Sequence, residues 1–306
     1  QFKSGNIDDG FQQSDNIFEK QYTTKTVHQG YIELQNATAW WTNDQRVTIW
    51  CSTQGHFGVR DNTARILGIP VSDIKVVPME IGGGFGGKIA VYLEPIAAIL
   101  SKKSGQPVKL TMTRSEVLEA TGPTSGSIVN IKIGYTNQGI ITGAKADIFF
   151  EAGAFPGGPI GGACAAIFAP YDIKNVLINA YDVVTNKPRT TAYRAPGAPI
   201  VCFAVESALD EISKEINIDP IDIRLVNVAE EGSRRADGVV NLKIGAKEVM
   251  EAVKKHPHYL SPVKGPNIGR GIGMGFCRNN TGPACAVANV LNNGTITLVE
   301  GSIDLA

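Results

Sequence analysis

An excess of charge of either sign is missing from this sequence. Lys and Arg together number 29, Asp and Glu also number 29, and the formal net charge is zero. Nothing electrostatic therefore argues for nucleic acid or an anionic membrane as a partner. No apolar run approaches the roughly 20 residues that span a bilayer, and no signal-peptide pattern is visible. Cysteines are few and scattered, at Cys51, Cys164, Cys202, Cys277 and Cys285. None forms CxxC, and none has zinc spacing with a histidine. They are expected to be buried apolar filler in a reducing, cytoplasmic compartment. His256 and His258 flank Pro257 in a polar stretch, while His28 and His56 stand alone. None is expected to ligate a metal. No serine has a glycine two positions before it, so the GxSxG nucleophile elbow is also absent.

Glycine, by contrast, is abundant, with 34 residues. Five of them fall within Ile81-Gly82-Gly83-Gly84-Phe85-Gly86-Gly87-Lys88. Such a run frees the backbone to turn tightly and approach a ligand closely. A β-like run over 74–81 precedes it and a helix-like run over 89–101 follows it. A loop in that setting can aim N–H groups at an anion, helped by the helix dipole. Gly82, Gly84 and Gly87 fit the dinucleotide pattern GxGxxG. Gly82, Gly87 and Lys88 fit a P-loop except for its final hydroxyl, which is Ile89 here. Without that hydroxyl there is no Mg²⁺ ligand, so nucleoside triphosphate hydrolysis is not expected. A turn with unusual backbone angles and no ligand is the third reading.

At 306 residues the chain has room for one large or two ordinary domains. Residues 1–15 are polar and read as a loose lead-in. Strands are predicted over 19–26, 37–41 and 46–51, and a helix over 56–67 with Val59, Ala64, Ile66 and Leu67 as core positions. Residues 74–112 read as a βαβ unit. Residues 128–135 and 140–150 alternate around Thr136-Asn137-Gln138-Gly139, a hairpin signal. The stretch 151–169, rich in Gly, Ala and Pro, is either a long loop or a small-residue surface. A strand is expected over 179–184, and Tyr193-Arg194-Ala195-Pro196-Gly197 forms a stiff elbow into a helix over 200–215 that buries Phe203, Val205, Ala208, Leu209 and Ile212. Asp219-Pro220 has the form of a helix start. Another helix covers 246–255, and 261–266 is the best linker. Strands are expected over 269–277 and 286–291, and Asn292-Asn293-Gly294 signals a hairpin. Arg194, between strand and helix, can present a guanidinium to an anion or carbonyl; a surface arginine beside a structural turn is the competing reading.

Four segments, in order, resemble the molybdenum-binding subunit of the xanthine dehydrogenase and aldehyde oxidase family. They are Ser52-Thr53-Gln54, Gly82-Gly83-Gly84-Phe85-Gly86-Gly87-Lys88, the run Thr185-Asn186 through Ala192-Tyr193-Arg194, and Asp219-Pro220-Ile221-Asp222-Ile223-Arg224-Leu225-Val226-Asn227 with the helix from Phe203 before it. The resemblance extends over roughly residue 15 to the end. It implies an α+β molybdopterin-binding fold of mixed sheets and packed helices, with a first domain over 18–266 after a lead-in of 1–17 and the start of a second over 267–306. It implies a molybdenum–molybdopterin cofactor, in bacteria often as the cytosine dinucleotide, contacted by Gln54, Gly84, Phe85, Gly86, Gly87, Ala192, Tyr193 and Arg194. Gln54 would face an oxo ligand of the metal and Arg194 the substrate, and no side chain would bind molybdenum directly. The activity implied is hydroxylation of an aldehyde or of an N-heterocyclic or aromatic substrate with oxygen from water. Electrons would leave through iron–sulfur clusters and FAD on partner subunits.

Three departures refine this. Ile89 stands where relatives that oxidise purines often carry Glu, which argues against a xanthine-type pocket. Ala195 follows Arg194 where carbon monoxide dehydrogenases place a copper-binding Cys. The family's general-base Glu and further pterin contacts lie beyond Ala306, and Gly301-Ser302-Ile303-Asp304 reads as the lead-in to one. With Gln1 at its start, the chain reads as a fragment or split subunit, completed by another chain. The alternatives are an NAD(P)-binding oxidoreductase using Gly82, Gly84 and Gly87, and a non-catalytic scaffold fragment.

Overall fold

Apolar–polar alternation is most regular in residues 127–150, and there the larger sheet forms. The computed structural model describes residues 1–277, 282 and 284–303. In chain order the elements are β1 (Phe2–Ser4), α1 (Ile7–Gln12), β2 (Asn16–Thr24), β3 (Asn36–Trp41), β4 (Val47–Cys51), α2 (His56–Leu67), β5 (Ile74–Pro78), α3 (Glu94–Ser104), β6 (Val108–Thr111), α4 (Arg114–Ala120), β7 (Ser127–Tyr135), β8 (Ile141–Gly153), α5 (Ile160–Ala166), β9 (Val176–Val184), α6 (Ala198–Glu215), α7 (Pro220–Leu225), α8 (Ala246–Lys255), α9 (Pro257–Leu260), β10 (Ala286–Val290) and β11 (Ile296–Glu300). Helices and strands of mixed direction make this an α+β fold. They group into two compact units interleaved in sequence: Gln1–Val27, Ser125–Thr190 and Ala195–Arg278 form the first, and His28–Thr124, Thr191–Arg194 and Asn279–Ala306 the second. The sequence division into 1–17, 18–266 and 267–306 is serial instead.

The first unit holds a five-stranded sheet in the order β1-β9-β8-β7-β2. Val129, Ile131, Ile133 and Tyr135 alternate inward on β7, and Ala144, Ala146, Ile148 and Phe150 do so on β8. Val201, Ala204, Val205, Ala208, Leu209 and Ile212, at helical spacing on α6, close over them. Phe203, expected in this core, is 51% exposed; it lies on another face and meets Tyr22 edge-on at 6.1 Å. Residues 1–15 are not loose. β1 pairs antiparallel with β9, Phe2 opposite Ile178. The stretch 151–169 is not a long loop either, since α5 buries Ala163, Cys164 and Ala166.

The Asp219–Asn227 segment is a clasp. Asp219 accepts from Ile221 N–H and caps α7. Arg224, fully buried, donates to Glu206 at 2.7 Å and Asp210 at 2.9 Å, both on α6. Asn227 donates to Gly139 O and Ile223 O and accepts from Ile141 N–H, each at 2.8 Å. The helix is thereby tied to the β7–β8 turn.

The second unit holds a four-stranded sheet in the order β5-β4-β3-β6. Ala37, Ala39, Val47, Ile49 and Cys51 pack against Val59 and Ala64 of α2 and Ala97 and Ala98 of α3. Ile66, expected in this core, is 60% exposed. The adjacent parallel pair is β4 and β5, joined by α2. The predicted βαβ unit over 74–112 is laid out differently, with β6 pairing β3 at the opposite edge from β5. The strand expected over 269–277 does not form, whereas the hairpin at Asn292-Asn293-Gly294 does, as β10 and β11. Of the cysteines only Cys51 and Cys164 are buried. Cys202 is half-buried, and Cys277 and Cys285 are exposed, which corrects their reading as filler. Asp304 lies outside the described residues.

Candidate cofactor-binding site

β4 ends in Cys51, and the chain then turns through Ser52, Thr53 and Gln54 before α2. Three apolar residues of β4 buried in the sheet fix where this turn emerges. Gln54 reaches the glycine loop through both main chain and side chain. Its N–H donates to Lys88 O at 3.0 Å. Its carboxamide Oε1 accepts from Gly86 N–H at 2.8 Å and Lys88 N–H at 3.1 Å. Gln54 Nε2 has no hydrogen-bond partner among the described residues, so two amide N–H donors remain to be offered to an acceptor.

The loop is not a cradle at a helix N-terminus. β5 stops at Pro78 and α3 starts only at Glu94. Residues 85–88 instead form a turn in which Gly87 N–H bonds Gly84 O at 2.8 Å. Phe85 sits at φ +51°, the left-handed region that non-glycine residues rarely enter. The glycines are demanded by the protein itself. A Cβ on Gly84 would lie 2.6 Å from Gln54 Oε1, and one on Gly86 2.5 Å from Ala192 O. A Cβ on Gly87 would meet the Tyr31 ring at 2.7 Å.

The segment 191–194 closes on the same loop. Arg194 N–H donates to Phe85 O at 2.9 Å. Ala192 O accepts from Gln29 Nε2 at 2.8 Å. Gln54, Gly84, Phe85, Gly86, Gly87, Ala192 and Arg194 are thus joined by hydrogen bonds or close packing, with Tyr193 half-buried among them. The Arg194 side chain is exposed and has no partner among the described residues. Its reading as a turn-side surface arginine and as a ligand-facing cation both require that exposure. The backbone bond to Phe85 sets Arg194 beside the glycine loop and leaves both readings open.

Sequence reasoning missed two residues here. Gln29 is 6% exposed and spends Nε2 on Gly122 O, Thr191 Oγ1 and Ala192 O, yet its buried Oε1 has no partner. That orphaned acceptor lies 3.1 Å from where a Gly87 Cβ would stand. Glu33 bonds the buried Lys88 at 2.6 Å. Burial alone would raise the Glu33 pKa. Hydrogen bonds from Lys88, Ser52 and Gly82 outweigh it and hold the carboxyl at about 2. Lys88, wholly buried, is pushed below its ordinary value by desolvation against the pull of Glu33. A buried lysine at the loop's end is the signal that a carboxylate must be near, but spacing does not say which one. Elsewhere, a cavity of about 570 Å³ in the first unit is lined by Thr23, Lys25, Thr26, Glu151, Thr185 and Lys187 among others; none of the expected site residues lines it.

Comparison with known proteins identifies the family. Nicotinate dehydrogenase large molybdopterin subunit of Eubacterium barkeri is 29% identical over 255 residues, covering 82% of this chain and 60% of that protein. The putative xanthine dehydrogenase molybdenum-binding subunit of Escherichia coli (strain K12) is 31% identical over 323 residues, covering 99% of this chain and 42% of that protein. The chain therefore spans about half the length of these relatives. Aldehyde oxidoreductase from Desulfovibrio gigas shares the fold, with a TM-score of 0.85 at 21% identity over 97% of this chain and 34% of that one. The model of the molybdopterin cofactor-binding domain matches residues 1–228, so the chain belongs to that family.

Proposed function

We propose that this chain is the molybdopterin-binding part of an oxidoreductase that hydroxylates an aldehyde or an N-heterocyclic or aromatic substrate. The observation that carries the reading is the Gln54 carboxamide. Its oxygen is locked by the loop N–H groups of Gly86 and Lys88, and its N–H pair is left over for an oxo-type acceptor. The orphaned Gln29 Oε1 adds an acceptor suited to a ring N–H, so the residues present fit a pterin-held metal. Bound there, molybdenum–molybdopterin would supply two-electron oxidation: the substrate carbon gains oxygen from water and releases two electrons and two protons. The chain's own part is to orient and polarise. Gln54 donates from a fixed direction, and the exposed Arg194 guanidinium binds the carbonyl or ring acceptor of the substrate. Gly84, Phe85, Gly86, Gly87, Ala192 and Tyr193 form the wall between them. Ile89, half exposed just past the loop, offers no carboxylate to a purine.

The proposed partners follow from what the sequence holds. Among the described residues no group of three His, Cys, Asp or Glu could hold a metal ion. We assign iron–sulfur clusters and FAD to partner subunits and the remaining molybdopterin contacts to a further partner chain, with 267–306 opening a second such domain. Among the described residues no helix is long and apolar enough to cross a membrane; we place the complex in the cytoplasm. Metal and nucleotide analysis of the complete native complex tests the reading. Stoichiometric molybdenum with a releasable pterin is expected. Tight NAD(P) binding without molybdenum would overturn it, and absence of both would leave a scaffold.

A further inference from the structure

Glu33 lies before β3, in a stretch without regular structure. A single oxygen, Oε2, accepts from Gly82 N–H at 2.8 Å, Ser52 Oγ at 2.5 Å and Lys88 Nζ at 2.6 Å. The Glu33 N–H in turn donates to Gly82 O at 3.0 Å. One residue thus grips the first and the last position of the loop 82–88. Lys88 Nζ also donates to Ser52 Oγ at 2.9 Å and stands 5.1 Å from the Tyr31 ring centre. Its side chain is wholly buried.

The grip reaches Gln54 by two routes. Lys88, anchored through its ammonium, donates its main-chain N–H to Gln54 Oε1 and accepts from Gln54 N–H. Ser52, anchored through its hydroxyl, lies two residues before Gln54 on the same turn. An amide whose oxygen is held at two points cannot exchange its ends. If the loop loosens, the carboxamide can rotate and turn its oxygen outward. The Glu33 carboxylate is therefore upstream of the free Gln54 donor pair.

We propose that Glu33 is a positioning residue, which clamps both ends of the glycine loop and so fixes the outward face of Gln54. This rests on the reading of the site as a molybdopterin wall. A plain structural role would also be disturbed by leaving the Lys88 charge buried and unpaired. Two variants of the full complex separate the roles: E33Q, and E33Q/K88M, which removes both charges at nearly constant volume.

The measurements are amide hydrogen exchange over 82–88, molybdenum per complex and the thermal midpoint. In E33Q, exchange at Gly86 and Lys88 is expected to quicken about tenfold, as for a lost hydrogen bond, and molybdenum content to fall with it. In E33Q/K88M the midpoint should recover while exchange stays fast and molybdenum stays low. Recovery of all three in the double variant would make Glu33 a charge-balancing residue only and overturn the proposal. So would unchanged exchange in E33Q. A wild-type complex without molybdenum defeats the functional reading instead, and the exchange comparison still decides the clamp.

Discussion

Arg194 and Gln54 each carry side-chain N–H groups with no partner among the described residues. Their roles should therefore separate from those of the wall. Arg194→Ala is expected to lower kcat/KM by on the order of a hundredfold, the scale of removing one charge-stabilising donor, while molybdenum per complex is unchanged. Steady-state kinetics beside metal analysis checks this, and unchanged turnover would remove Arg194 from the site. Both residues stood out in the sequence as candidates because each stands at the end of a recognisable motif. Glu33 and Gln29 were not. Their partners lie 55 and 163 positions away in the chain, and nothing local to Glu33 announces a buried lysine.

At the scale of elements, legibility followed the reach of the interactions. The β7–β8 hairpin, the Asp219-capped α7 and the Asn292-Asn293-Gly294 turn are set by neighbours in sequence, and all three were readable. The lead-in is different: β1 exists only because β9, some 170 residues on, offers an edge. Helix α5 has two glycines in seven residues and no side-chain cap, so burial of its alanines overrides poor propensity. The loop-to-helix reading failed for a similar reason, since Ile89–Leu93 spends five residues outside any helix before α3 starts. Asn227 gives this scale its test. It satisfies Gly139 O, Ile223 O and Ile141 N–H at once, so Asn227→Leu should cost about 3 kcal/mol by orphaning buried backbone groups. Urea unfolding measures the loss, and hydrogen exchange should quicken first at Ile141. A change below about 0.5 kcal/mol, the surface-mutation range, would show that the clasp is ornamental.

For the molecule as a whole, the ion pairs set a direction for acid stability. Glu33, Glu151 and Glu211 are all held below the ordinary carboxylate value. Lys187 is the main cause for Glu151 and Lys20 for Glu211; at Glu33 the hydrogen bonds overcome burial. A carboxylate with a lowered folded pKa contributes stability that is present above its unfolded value and lost as pH falls through the folded one. For Glu33 the window runs from 4.5 down to about 2, equivalent to about 3 kcal/mol. Urea midpoints should fall between pH 5 and pH 3 in the wild type. In E33Q that slope should be shallower, while equal slopes would mean that Glu33 is not held low. Nothing in composition foretold this, because zero net charge says nothing about which charges meet.

The fit of the glycine loop has one more consequence, for how relatives of this chain are judged. Gly84 packs on Gln54, Gly86 on Ala192 and Gly87 on Tyr31, all partners inside the protein. A chain that had stopped carrying a cofactor would still need Gly86 and Gly87, whose added Cβ would run into the Ala192 backbone and the buried Tyr31 ring, whereas Gly84 meets only the movable end of Gln54. An intact GGGFGGK string is thus a certificate of architecture rather than of chemistry. Activity in a newly read gene is better judged by whether a glutamine and an arginine remain at the positions of Gln54 and Arg194, where folding alone makes no demand on the side chain's free end.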